Sequence, residues 1–472
     1  MTKFKYLPKA LLSSAVIMGG FVAAPSASAF CGFYVAKADT DLFNQSSKVA
    51  LVRDEDRTVI TMANDYIGDP KEFAMVIPVP TVIKKEQVHI SQTSLLDHLD
   101  AYTAPRLVEY FDSNPCHQFK RREFAFSQSA PVADEVVVTG ARVEKSLGVT
   151  IEESFSAGEY DILILSAKES DGLETWLTNN GYKIPDGASQ TLGSYIKQDM
   201  KFFVAKVNLE RKAKEGGTFL NPIAVAYESP KFMLPIRLGT ANANGTQDLF
   251  VYALTRDGKV ETTNYRTQKI PSGQELPIFI KDDFGDFYKD MYKTSANREG
   301  GHGVFMEYAW DMNWCDPCAA DPLSDDQLQE LGVFWLNDGP SYNKPQPRPQ
   351  VRRGFKSQAK DVYVTRLHVR YDAESFPEDL KFKTTGDRQN FQGRYILRHA
   401  FDGEMECEAA DEYKREVNKR KEKEIKTLAN LTGWETKYIR TKIKASGKGE
   451  LFKIKDKPRS DWWNKIWPSD KE

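Results

Sequence analysis

Six histidines and five cysteines in 472 residues leave little material for metal or thiol chemistry. His89, His98, His117, His302, His368 and His399 never fall at the spacing of about three to five residues that puts two imidazoles on one metal. No Cys-x-x-Cys-His occurs, which excludes covalently attached haem. Gly-x-Ser-x-Gly, a P-loop and Gly-x-Gly-x-x-Gly are missing too, so the usual signatures of a hydrolase, an NTPase and a dinucleotide enzyme are not there. Past position 25 no apolar run reaches the roughly 18 residues needed to span a bilayer. Lys+Arg number 65 against 67 Asp+Glu, a balance that speaks against broad nucleic-acid binding. At 40% hydrophobic and 28% charged, the chain is too apolar for disorder and too long for a disulfide mini-protein.

What is present begins with an address. Lys3, Lys5 and Lys9 precede the apolar stretch Ala10 to Ala24, and Ala27-Ser28-Ala29 is an A-x-A cleavage site. That order predicts a signal peptide over 1–29 with cleavage near Ala29, and hence a periplasmic or secreted protein with no transmembrane segment after cleavage. Phe30 occupies the position a lipid-bearing Cys would need. Without 1–29 the charge is uneven: residues 411–472 hold 18 Lys+Arg and 11 Asp+Glu, net +7, while 30–410 carries net −12.

Export makes Cys31, Cys116, Cys315, Cys318 and Cys407 disulfide candidates. An odd count leaves one thiol over, and spacing alone leaves the connectivity open; the preferred pairing is Cys31–Cys116 plus one bridge among the other three. Trp314-Cys315-Asp316-Pro317-Cys318 looks like the thioredoxin motif, with Cys315 attacking and Cys318 resolving. Asp316 opposes it, since a neighbouring negative charge disfavours a thiolate. Ala319-Ala-Asp-Pro322 also interrupts the helix that the motif should open. A structural pair is the preferred reading; redox catalysis is the alternative. No metal site and no cofactor are expected. The acids Asp282, Asp283, Asp286 and Asp290 lack the ligand spacing of a calcium loop and read as favouring a helix N-terminus.

The expected fold class is α+β: largely antiparallel sheets with short packed helices, plus a charged C-terminal helix and tail. Lys48–Arg53 and Thr58–Ala63 alternate about Asp54-Glu55-Asp56 as a hairpin. Phe73–Pro80 reads as an edge strand or strand end, because Pro78 and Pro80 cannot donate to a ladder. Leu95, Leu96, Leu99 and Tyr102 mark one helix, and Pro105 is expected to open another. Asp257-Gly258 predicts a tight hairpin, and Phe232–Leu238 a strand. Ser324 with Gln327 predicts a capping box, closed at Gly332. The expected divisions are 1–29 signal peptide, 30–205 an N-terminal α+β domain, 206–336 a β-rich domain, 337–360 a Pro-rich basic loop, 361–410 strands completing the second domain, and 411–472 a charged helix with a Trp/Lys-rich tail. Residues 411–428 read as a charged helix of mixed sign, mostly solvated, with only Val417, Ile425 and Leu428 as an apolar seam. Trp462, Trp463 and Trp467 are candidate docking residues for a membrane or a partner.

Phe30-Cys-Gly-Phe-Tyr-Val35, Val49-Ala-Leu-Val52, Phe73-Ala-Met-Val-Ile-Pro-Val-Pro80, Leu95-Leu-Asp-His-Leu-Asp-Ala-Tyr-Thr-Ala-Pro105, Gly158-Glu-Tyr-Asp161 and Trp176-Leu-Thr-Asn-Asn-Gly-Tyr-Lys-Ile-Pro185 follow in that order. Together they resemble the bacterial exported family catalogued as domain of unknown function 2330, over most of 30–400. The resemblance implies secretion and a mixed α+β domain, and it assigns no catalytic residue. The expectation is therefore an exported, non-catalytic binding or cell-envelope protein. The rivals are a thiol–disulfide protein using Cys315 and Cys318, or a protein docking through its basic tail at 411–472. Partners are otherwise unknown.

Overall fold

The computed structural model describes residues 33–37, 44–64, 73–116, 148–184, 188–208, 210–212, 220–314, 316, 320–337, 360–447, 449 and 451–453. Cys31, Cys315, Cys318, Trp462, Trp463, Trp467, the expected signal peptide and nearly all of the Pro-rich loop lie outside these residues.

Two large sheets stack face to face. The larger runs Arg266–Lys269, Gly303–Asp311, Tyr363–Tyr371, Ala243–Thr255, Asn44–Asp54, Arg57–Asn64, Ile223–Glu228, Val88–Ile90, with Phe391–Gln392 paired to Gly303–Asp311. The smaller runs Val149–Ala157, Tyr160–Ala167, Lys201–Val207, Phe73–Val79, Phe33–Lys37, Tyr182–Lys183, with antiparallel pairing throughout. Strand alternation explains the layering, because successive side chains point to opposite faces. Val49 and Leu51 face inward onto Met75, Ile77, Ile162, Ile164 and Phe203 of the opposite sheet. Ala50 and Val52 face outward under the helix α1, Thr93–Thr103, with Leu95, Leu96 and Leu99. On the far side of the smaller sheet, Ala74, Val76, Leu165 and Phe202 meet Leu173, Leu177, Leu192 and Tyr195 of α2, Ser170–Asn179, and α3, Ala188–Ile196. The order is helix, sheet, sheet, helix. The α+β class with mainly antiparallel sheets holds.

A third apolar cluster stands beside the sandwich. It joins α4, Phe284–Arg298, the small parallel sheet Gln274–Leu276, Arg394–His399, Arg106–Phe111, and a C-terminal helical hairpin. Between α4 and that hairpin comes the short α5, Asp325–Glu330. The hairpin consists of α6, Ala409–Thr432, and α7, Thr436–Ser446. Gly433 ends α6 at φ 76°, a left-handed conformation that a side chain disfavours. The charged helix expected over 411–428 forms within α6, and its apolar seam of Val417, Ile425 and Leu428 is buried. Ile425 and Leu428, with Ile439 and Ile443, pack among Phe287, Met291 and Tyr395. The acids near 283–290 receive this hairpin: Asp283 pairs with Lys442 at 2.7 Å, and Asp290 accepts from the Trp434 indole at 2.6 Å.

Other expectations divide. The hairpin about Glu55 forms, with Val52 opposite Val59. The Ser324–Gln327 capping box forms at the start of α5. Phe73–Val79 lies inside its sheet, not at an edge, and the strand-end alternative holds: Pro78 lies at its end, past Val76, where pairing with Phe33–Lys37 stops. Pro105 precedes a strand, not a helix, since Arg106–Phe111 pairs in parallel with Arg394–His399. Phe232–Leu238 is strand only at Met233–Leu234 and turns into a 3-10 helix at Arg237–Asn242. After Asp257-Gly258 the chain leaves the large sheet, and Val260–Thr262 pairs with Leu380–Thr384. A Cβ on Gly258 would meet the Thr385 carbonyl oxygen at 2.5 Å, so glycine serves a close approach there, not a hairpin. The large sheet takes strands from both sides of the boundary expected at 205/206.

Cys116 is bonded to Cys407, with Cα atoms 5.6 Å apart. The preferred Cys31–Cys116 pairing is thereby corrected: tertiary folding brings together two cysteines 291 residues apart, which proximity in sequence did not suggest.

Candidate functional site

Two places merit comparison: a buried charged layer and an open cleft. The layer lies on the outer face of the large sheet. Arg366, His368 and Arg370 alternate along Tyr363–Tyr371, and Asp248, Phe250 and Tyr252 line the adjacent Ala243–Thr255. Glu307 comes from Gly303–Asp311, where the register breaks between Met306 and Tyr308. Such a bulge places two consecutive side chains on one face.

Glu307 is fully buried and is the hub. Its carboxylate meets Arg366 Nε at 2.6 Å and His368 Nδ1 at 2.7 Å, and it accepts from Tyr288 of α4. Asp248 faces His368 Nε2 at 3.2 Å and Arg370 at 2.7 Å. Asp100 of α1 faces Arg366 at 2.6 Å and Lys48 at 2.9 Å and accepts from Tyr252 at 2.8 Å. Burial opposes every charge here, yet the partners outweigh it. Desolvation would lower the His368 pKa, but Glu307 and Asp248 hold it above its ordinary value. Desolvation would raise Glu307, Asp248 and Asp100, but the facing cations and hydrogen bonds keep all three depressed.

These residue types are those of an active site, but the geometry is not. Both His368 nitrogens are engaged. Its ring faces are covered by Tyr292, stacked at 3.7 Å, and by Phe250 at 4.2 Å. A general base must reach a substrate proton, and no face or lone pair of His368 is open. The layer is a structural fastening of α1 and α4 to the sheet.

The cleft lies on the helix-covered face of the smaller sheet, beyond the end of α2. It encloses about 540 Å³. Leu163, Val204, Trp176 and Tyr182 supply apolar surface; Ser154, Ser156, Asn180, Asp161 and Lys206 supply polar groups. The strand signal at Tyr160–Ala167 is what makes this floor: Ile162 and Ile164 fill the core between the sheets, so Asp161 and Leu163 point the other way. Asp161 Oδ1 accepts from Ser156 and from Arg211, each at 2.6 Å. Burial would raise the Asp161 pKa, but these hydrogen bonds and that of Asn208 hold it low, so the carboxylate stays ionised. Its Oδ2 accepts from Asn208 at 3.5 Å.

The other sequence candidates among the described residues lie elsewhere. Cys116 and Cys407 are spent on each other. Trp314 is 67% exposed, and the Asp316 carboxylate accepts from Tyr308 at 3.1 Å and Gln392 at 2.7 Å. The first described helix beyond it starts at Asp325. His98 bonds the Asp321 carbonyl and Gln327, and His89 pairs with Glu330. No group of three or more metal-ligating side chains forms among the described residues. Among them, too, no helix is long and apolar enough to cross a membrane.

Residues 25–383 match the family described as an uncharacterized protein conserved in bacteria, DUF2330. A search of the curated proteins finds no match, and neither does one of the solved structures.

Proposed function

The chain belongs to the DUF2330 family of proteins conserved in bacteria, and from that premise we propose that it is an exported, non-catalytic binding protein of the cell envelope. Its ligand is a small molecule with an apolar body and an amine head. The observation that carries this reading is the cleft of about 540 Å³, within the usual size of small-molecule sites. Trp176, Leu163 and Val204 suit an apolar body. The ionised Asp161 at the cleft floor suits a head that donates hydrogen bonds to a carboxylate. Export rests on the N-terminal sequence pattern, and the Cys116–Cys407 bond is compatible with an oxidising compartment.

Titration with phenethylamine, followed by amide chemical shifts, tests the reading. Saturable shifts are expected at residues 154–163 and 204–206. Leu163→Arg is expected to abolish them, and Asp161→Asn to weaken binding about tenfold, the loss of one charge-assisted contact. Equal binding by Leu163→Arg would remove the cleft from consideration.

A further inference from the structure

The C-terminal hairpin is docked by one face, and its other face is strongly cationic. Among the described residues of α6 and α7, Arg415, Lys419, Lys423, Lys426, Lys437, Arg440 and Lys444 are exposed, against Glu412, Glu416 and Glu435. Arg440 is paired with Glu422. Arg415, Lys419, Lys423 and Lys426 follow at intervals of four, four and three, which puts them in one row over about 16 Å of helix. Two of the large apolar side chains that stay exposed flank this region, Tyr438 at 44% and Leu451 at 48%.

We propose that this face of the hairpin docks on an anionic phospholipid surface. Three observations favour a bilayer. The cations sit on a packed, preformed helix, so presenting them requires no ordering step. The body, net −12 over 30–410, is repelled by an anionic surface, so the charge asymmetry turns the +7 end toward it. Tyr438 and Leu451 supply the aromatic and aliphatic side chains that settle at headgroup depth. The surface lies apart from the cleft and does not depend on the ligand reading. It also differs from docking through Trp462, Trp463 and Trp467.

The test is co-sedimentation of the full mature chain with phosphatidylcholine vesicles, with and without about one-third phosphatidylglycerol. The wild type is expected to pellet with the anionic vesicles, to stay in solution with neutral ones, and to be released by high salt. Reversing Arg415, Lys419, Lys423 and Lys426 to Glu should weaken anionic-vesicle binding by at least about tenfold, with the unfolding midpoint little changed. The triple variant Trp462→Ser, Trp463→Ser, Trp467→Ser should keep binding. Undiminished pelleting of the charge-reversed chain, or equal pelleting on neutral vesicles, would overturn the proposal. So would retention on immobilised polyglutamate without vesicle binding, which would assign the face to an acidic protein.

Discussion

The two faces that helices cover in this molecule end differently. On the large sheet, α1 and α4 close over three acids and four cations, Asp100, Glu307 and Asp248 against Lys48, Arg366, His368 and Arg370. On the smaller sheet, α2 stops short and leaves a cleft that one acid, Asp161, lines. The chemically richer face is the closed one. A dense set of His, Arg and Glu therefore locates the fastening, and incomplete coverage locates the opening. Chemistry needs access as well as residue type.

The comparison breaks most readily at Glu307. Glu307→Ala would leave Arg366 and His368 buried without their shared anion, and a loss of about 3–5 kcal/mol is expected in urea unfolding. A loss below about 1 kcal/mol would mean that the layer is no closed network.

A smaller effect, of opposite sign, belongs to Glu424 in α6. Burial outweighs the attraction of Arg420, 3.7 Å away, and lifts its pKa to about 7. In the folded chain the carboxyl holds its proton up to about pH 7, whereas unfolded it ionises near 4.5. Stability is therefore lost as pH rises from about 4.5 to 7, then stays constant. Glu424→Gln should remove that loss, gaining up to about 3 kcal/mol at pH 8 and nothing at pH 4. His368, with its raised pKa, contributes stability in full below about 6.5 and loses it as pH rises through the folded value. Wild type minus Glu424→Gln isolates the carboxyl. A gain of the same size at pH 4 would refute the titration account.

The smallest change in stability is expected at the cleft. Ser154→Ala removes a lining hydroxyl from an exposed position and should shift stability by less than about 0.5 kcal/mol. A larger loss in thermal melts would make the cleft structural after all.

Alternation made much of this fold legible. Lys48–Arg53 and Thr58–Ala63 announced strands, and the capping box at Ser324 announced a helix. What alternation cannot state is which strands meet, so the Cys116–Cys407 bond and the pairing of Val260–Thr262 with Leu380–Thr384 were out of reach. Arg366, His368 and Arg370 were hidden by their own pattern. A polar residue at every second place reads as a solvent-facing strand, and only α1 and α4 turn that face inward. A signal for the layer did exist: Glu307 interrupts the apolar run from Val304 to Trp310, and a carboxylate buried there requires cations. The cleft left no such mark, because it is defined by where α2 ends. For the acids near 283–290, a helix-dipole role was the natural reading of local sequence. Their partners Lys442 and Trp434 lie about 150 residues away.

The parallel pairing of Asn44–Asp54 with Ala243–Thr255 has a consequence in time. Val49 lies beside Val251, and Val251 in turn beside Leu367. As the chain leaves a ribosome or crosses a membrane amino end first, its first hairpin waits for two strands made long afterwards. Loop closure over such distances is slow, and contacts this remote in sequence delay folding. Until residue 255 arrives, the edge of Asn44–Asp54 lacks the strand it pairs with, and until residue 371 arrives so does that of Ala243–Thr255. The large sheet of this molecule is therefore completed late.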